Sequence, residues 1–172
     1  MALPPLRLCA AVKKMAKAIL PGSYDPATVG HIDIILRAKQ LYKDVTVGIL
    51  FNPQKEYIFT PVQKKDILEK ALAGKDIPVI IWEGMLYELC NEQGYTHIVK
   101  GIRRGDAEYE EQMAEYNSAR CNAVTVMLAA DEKYENVSST LVRNYLSAGK
   151  DISHLCPQAE VIKEYYDKNT KM

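Results

Sequence analysis

Pro21-Gly22-Ser23-Tyr24-Asp25-Pro26-Ala27-Thr28-Val29-Gly30-His31 lies between a short apolar run, Ala18-Ile19-Leu20, and an amphipathic one, Ile32-Asp33-Ile34-Ile35-Leu36-Arg37-Ala38. The order reads strand, tight glycine-containing loop, helix. A loop of this kind presents backbone N–H groups and a helix N-terminus to an anion. Thr28-x-Gly30-His31 puts an imidazole in the first turn of that helix, and Ser23 sits where the strand ends. A hydroxyl, free amides and an imidazole converging at one point suit a nucleotide phosphate.

Outward from this stretch, strand and helix patterns alternate. Ala16–Leu20 reads as the first strand and Gly30–Tyr42 as a helix; Val45–Leu50 reads as a buried strand. Thr60-Pro61-Val62-Gln63 is a helix start, with Thr60 as N-cap, Pro61 at the first helical position and Gln63 closing a capping box. That helix runs to about Ala73, before Gly74. Further strands are expected at Ile77–Trp82, Thr96–Val99 and Val124–Leu128. Further helices are expected at Met85–Gln93, Asp106–Arg120, Ser138–Ala148 and Pro157–Tyr166. This rhythm predicts an α/β fold: a Rossmann-like, doubly wound, five-stranded parallel sheet with helices on both faces. Ligands of such sheets bind beyond the carboxyl ends of the strands.

Composition narrows the function. The 172 residues carry 22 Lys+Arg and 22 Asp+Glu, and this neutral balance argues against a generic nucleic-acid binder. Cys9, Cys90, Cys121 and Cys156 are far apart, and the only histidines are His31, His97 and His154, so no zinc-site spacing exists. Scattered cysteines fit a reducing compartment, and we expect a cytoplasmic protein. No apolar run is long enough to span a membrane. Residues 1–14, with Pro4-Pro5 and no acidic residue, read as an extension, disordered or non-native, ahead of a single domain over 15–172. A secretory signal fits poorly because Lys13-Lys14 follow the apolar stretch; a short organellar targeting peptide is the alternative.

The expected strand ends carry the chemistry. Ser23–His31 follows the first strand and Asn52-Pro53-Gln54-Lys55 the second. Lys100-Gly101-Ile102-Arg103-Arg104-Gly105 follows the fourth, and Asp131–Val137 with Ser138-Ser139-Thr140-Leu141-Val142-Arg143 follows the fifth. One rim would gather several cations, several hydroxyls, a histidine and two helix N-termini. Consecutive hydroxyl residues at a helix start offer side-chain donors and unpaired amides to phosphates. Asp25-Pro26 reads as structural, shaping the loop. His97, inside a strand, and Tyr165-Tyr166 read as structural or packing residues, and the lysine-rich segment from Lys163 to Lys171 as a solvated face.

The motif Pro-Gly-Ser-Tyr-Asp-Pro-x-Thr-x-Gly-His-x-Asp resembles that of the phosphopantetheine adenylyltransferase family, within the nucleotidylyltransferases of coenzyme A biosynthesis. Val137-Ser138-Ser139-Thr140-Leu141-Val142-Arg143 resembles the second signature of that family. The resemblance runs from about Ala18 to about Tyr166. It implies that His31 hydrogen-bonds the ATP α-phosphate as charge builds there. Lys55 would hold the acceptor phosphate, and Arg103 would reach the triphosphate; these three are the implied catalytic residues. The implied ATP site is Ser23, Tyr24, His31, Gly101, Ile102, Arg103, Glu110, Tyr134, Ser138, Ser139 and Thr140. The implied acceptor site is Ser23, Lys55, Leu86, Lys100 and Asn117.

Two departures stand out. Lys100 replaces the first arginine of an Arg-Gly-(Leu/Ile)-Arg element, keeping the charge but losing the bidentate fork. The segment between Arg103 and Glu108-Tyr109-Glu110 is one residue shorter than the family pattern, and Ala107 stands where an aromatic residue is usual. The register of Arg103 against Arg104 is therefore open at this level.

The reaction implied is in-line attack of 4′-phosphopantetheine on the α-phosphorus of MgATP, giving dephospho-coenzyme A and pyrophosphate. It needs no protein nucleophile. The implied cofactor is Mg²⁺ bound through ATP phosphates, with no protein metal ligands; the implied assembly is a hexamer. The competing readings are a sister nucleotidylyltransferase with another phosphorylated acceptor and a non-catalytic nucleotide-binding paralogue.

Overall fold

β1 (Lys17–Gly22) is the axis of the sheet, and its side chains alternate between two cores. Ala18 and Leu20 enter one core, with Ile34, Ile35, Val47, Ile67 and Val142, while Ile19 enters the other, with Leu89, Cys90 and Ile98. A strand buried on both faces must be apolar throughout, which is why Ala18-Ile19-Leu20 shows no alternation in sequence. A computed structural model of the chain describes residues 16–171. The expected extension over 1–14 lies outside the described residues.

Around β1 stand β2 (Asp44–Phe51), β3 (Val79–Glu83), β4 (His97–Ile102) and β5 (Val124–Ala129), all parallel, in the order β3-β2-β1-β4-β5. The helices are α1 (Val29–Leu41), α2 (Pro61–Ala71), α3 (Leu86–Gln93), α4 (Ala107–Ser118), α5 (Ser139–Ser147) and α6 (Ala159–Thr170), with a 3₁₀ turn at Glu132–Tyr134. α1, α2, α5 and α6 bury residues in the first core, and α3 in the second, so the sheet is covered on both faces. The doubly wound α/β expectation holds.

Several boundaries differ from expectation, most of all in three elements. β4 extends through Ile102, so Lys100 and Gly101 lie inside the strand rather than after it. β3 begins two residues late, at Val79. α6 starts at Ala159 and continues to Thr170, past the end expected at Tyr166. Its last turn is held by Asn169, which donates to the Ile58 carbonyl at 2.8 Å, a tertiary contact that periodicity cannot reveal.

The chain leaves β1 in both lateral directions, which makes the β1–β4 boundary the switch point of the sheet. β1 pairs with β2 over its whole length, but with β4 only at Ala18–His97 and Ile19–Ile98. Beyond Ile19 and Ile98 the two strands separate at their carboxyl ends, and a crevice opens there.

Candidate active site

Two clefts adjoin this crevice. One, of about 430 Å³, is lined by His31, Lys100, Arg103, Tyr134, Ser138 and Arg143, among others. The second, of about 290 Å³, is lined by Lys55, Tyr57, Leu86, Met113, Tyr116 and Asn117, among others. Pro21, Gly22, Ser23, Lys100 and Glu110 belong to both. The first cleft is rich in cations and hydroxyls; the second has a long apolar wall with an exposed lysine.

The signature loop is held rigidly. Tyr24 has φ of 46°, a left-handed conformation unusual for a non-glycine residue. Its ring is buried beneath Gly22, and its hydroxyl donates to the Leu20 carbonyl at 3.0 Å. A Cβ on Gly22 would lie 2.9 Å from that ring, so glycine is what permits the fold-back. The Asp25–Pro26 bond is cis, and Asp25 is buried. Its carboxylate accepts from Ile58 N at 3.1 Å and Phe59 N at 3.0 Å, and faces Lys64 Nζ at 3.4 Å. The structural role expected of Asp25-Pro26 is what the bonds show.

Thr28 caps α1. Its hydroxyl accepts from His31 N, and its own N–H donates to His31 Nδ1 at 3.0 Å. Nδ1 is therefore the acceptor nitrogen, and Nε2 carries the hydrogen in the neutral ring. Burial, then the nearby Arg103 and Lys100 charges, push the His31 pKa down to about 4. The ring is neutral at physiological pH, with one N–H to offer to an anion. Tyr24 meets it edge-on, with ring centroids 5.1 Å apart.

α5 presents its N-terminus to the same cleft, but its hydroxyls are partly committed. Ser138 Oγ accepts from Leu141 N as the N-cap. Ser139 Oγ donates to the Pro26 carbonyl at 2.8 Å, and Thr140 Oγ1 accepts from Arg143 Nη2. Arg143 Nη1 donates to the Asp25 carbonyl at 2.8 Å. The second signature is thus bolted to the first across more than a hundred residues of chain. Arg143 closes the second signature motif in sequence, and the structure adds it to the lining of the larger cleft.

Arg103 lines the larger cleft, its Nε 3.2 Å from Asp106 Oδ2 and its Nη1 directed to the Val137 carbonyl. Arg104 lines neither cleft and donates its backbone amide to Glu135. Of the two arginines, Arg103 is therefore the one at a cleft. Lys100 Nζ lies 3.4 Å from Glu110 Oε2, on the border of the two clefts. Gly101 lines the larger cleft for a packing reason as well: a Cβ there would come within 2.8 Å of Ile34 Cγ1 on α1. Ile102, included in the expected ATP site, lines neither cleft. Leu86 opens α3 on the smaller cleft, and Asn117 is buried there with its amide donating to the Met113 carbonyl at 2.9 Å. Tyr134 lines the larger cleft beneath the Lys133 ammonium.

The residues set aside as non-functional lie away from the clefts. His97 is in β4 beside Tyr42, and Tyr165 donates its hydroxyl to Asp66. Lys163, Lys168 and Lys171 pair with neighbouring acids at the surface. Among the described residues no group of three or more His, Cys, Asp or Glu side chains is arranged to hold a metal ion. No helix of the described residues is long and apolar enough to cross a membrane.

Residues 19–145 match the cytidylyltransferase-like family. Over 164 residues the chain is 39% identical to the phosphopantetheine adenylyltransferase of Leuconostoc mesenteroides, covering 91% of this chain and all of that protein. It is 33% identical to the enzyme of the same name from Frankia alni, over 90% of this chain and 98% of the relative. The corresponding protein of Corynebacterium glutamicum is 38% identical, over 87% and 97%.

Proposed function

This chain belongs to the phosphopantetheine adenylyltransferase family, and from that premise we propose that it transfers AMP from ATP to 4′-phosphopantetheine, forming dephospho-coenzyme A and pyrophosphate. One observation carries the reading: a cationic cleft with two helix N-termini and a more apolar cleft that holds Lys55 share the border Pro21-Gly22-Ser23, Lys100 and Glu110. Two substrates lying in them would bring their phosphates together at that border.

In this reading the triphosphate occupies the larger cleft, against the N-termini of α1 and α5, with Arg103 and Arg143 as counter-charges. The pantetheine arm lies along Leu86, Met113 and Asn117, and Lys55 draws in its phosphate. An oxygen of that phosphate attacks the α-phosphorus in line; the bond to the β-phosphate oxygen breaks, and pyrophosphate leaves. The nucleophile is already an anion, so no protein group must remove a proton. Catalysis is positioning together with charge neutralisation. His31 Nε2–H serves as a fixed donor to the α-phosphate, and Ser23 orients the reacting groups. Lys100 replaces the family's arginine as a point charge, steadied by Glu110.

Mg²⁺ would be held mainly by the triphosphate and water, and would supply further charge neutralisation on the phosphates. The site fits that arrangement: Asp106 and Glu110 already face cations, and no protein cage is needed for an ion that arrives on the nucleotide. The family resemblance also implies a hexamer, which light scattering tests. A cytoplasmic setting suits the free thiols of Cys90, Cys121 and Cys156.

The test is pyrophosphate release from MgATP by purified protein, with and without 4′-phosphopantetheine. Release that depends on the acceptor and yields dephospho-coenzyme A is expected. ATP binding without release would favour another acceptor or a non-catalytic role.

A further inference from the structure

Lys64 is the most deeply buried charged side chain among the described residues, 1% exposed, and it touches neither cleft. It stands on α2 one position beyond the capping-box Gln63, where the sequence offers no reason to bury a charge. Burial pulls its pKa down while Asp25 pushes it up. Its Nζ has two partners: Asp25 Oδ1 at 3.4 Å and the face of the Tyr57 ring, 3.5 Å from the centroid.

Tyr57 carries the contact onward. Its hydroxyl accepts from the backbone N–H of Asn52 at 3.3 Å, at the start of the turn that holds Lys55. Within that turn, Asn52 Oδ1 accepts from Gln54 N at 2.9 Å and the Asn52 carbonyl accepts from Lys55 N at 3.0 Å. At the far end of the loop, Ile58 and Phe59 donate their amides to the Asp25 carboxylate. An exposed turn is thus gripped by one buried pair, directly at its exit and through one aromatic ring at its entry.

We propose that Tyr57 and Lys64 are positioning residues for Lys55, fixing where the turn holds it at the edge of the smaller cleft. This rests on the reading in which Lys55 binds the acceptor phosphate. A flexible lysine on a mobile turn would spend binding energy on its own ordering; a turn clamped at both ends has met that cost in advance.

A kinetic cycle over Lys55 and Tyr57 tests this, using the full chain with 4′-phosphopantetheine and MgATP as probes. Tyr57→Leu removes both the ring face and the hydroxyl. It is expected to lower kcat/KM for the acceptor about tenfold or more and to leave the KM for ATP within about twofold. Tyr57→Phe, which keeps the ring, should fall between Tyr57→Leu and the native protein. In a Lys55→Ala background Tyr57→Leu should cost less than about twofold further, because the group it positions is gone. Lys64→Arg, which keeps the charge, should retain most of the acceptor kcat/KM even if Lys64→Met fails to fold. Native kinetics for Tyr57→Leu overturn the proposal. So does a full Tyr57→Leu penalty in the Lys55→Ala background, which would mean that the ring contacts the acceptor directly. Native turnover by Lys55→Ala alone would bring down the role of Lys55 itself, a failure distinct from the other two.

Discussion

The backbone N–H of Thr28 donates to Nδ1 of His31 at 3.0 Å, within the turn that the Thr28 hydroxyl caps. One short contact therefore starts the helix and selects the tautomer of the proposed catalytic ring. His31→Ala is expected to lower kcat by about 10²- to 10⁴-fold, the range for losing a positioned transition-state donor, with little change in ATP affinity. Steady-state kinetics with ATP titrated at saturating acceptor decide it, and an unchanged kcat removes His31 from the mechanism.

The free protein should show His31 titrating near pH 4, against 6.5 for an exposed imidazole. Between those values the unfolded chain holds the proton and the folded chain does not. Stability therefore rises with pH across that window and is lost as pH falls from 6.5 towards 4. At about 1.4 kcal/mol per pH unit the window carries at most about 3.5 kcal/mol, less to the extent that the ring is open to solvent. Denaturant melts of native protein and His31→Gln at pH 7 and pH 4.5 measure it, and the variant should show the smaller pH dependence. Bound ATP should raise the titration seen by NMR, since phosphate favours the imidazolium.

Gly101→Ala puts a methyl group within 2.8 Å of Ile34 Cγ1, where α1 crosses β4. Over-packing of this kind costs about 1–3 kcal/mol. The variant should melt earlier and also bind ATP more weakly, because Gly101 lines the larger cleft and α1 presents its N-terminus to it. A native melting temperature would show that α1 shifts freely on the sheet.

Lys100→Arg restores the planar fork that phosphate recognition favours. Acceptor KM should hold or fall, with Glu110 still available as partner across 3.4 Å. A large rise in KM would show that this site is built around a lysine's compact charge.

The fold was legible because its cues are local. Apolar runs of strand length, the Thr60-Pro61-x-Gln63 capping box and Gly94 at a helix end each act within a few residues. Much of the rim was legible for the same reason: parallel strands fix which loops share an edge, so His31, Arg103 and Ser138 meet in the larger cleft and Lys55 lines the adjoining one. What stayed hidden depends on contacts distant in sequence. The end of α6 is set by Asn169 reaching Ile58, and Lys64 is buried because Asp25, thirty-nine positions earlier, needs a counter-charge. Nor did the Ser138-Ser139-Thr140 run announce that the Ser139 hydroxyl would go to the Pro26 carbonyl rather than remain free.

The backbone of Ile58 is pinned on both sides, its N–H by Asp25 and its carbonyl by Asn169 in the last turn of α6. The first signature and the final helix thus share custody of the loop that follows Lys55. Damage at the far end of the chain should therefore be felt at the smaller cleft: Asn169→Ala is expected to raise the KM for the acceptor while leaving the KM for ATP within about twofold, as steady-state kinetics can show.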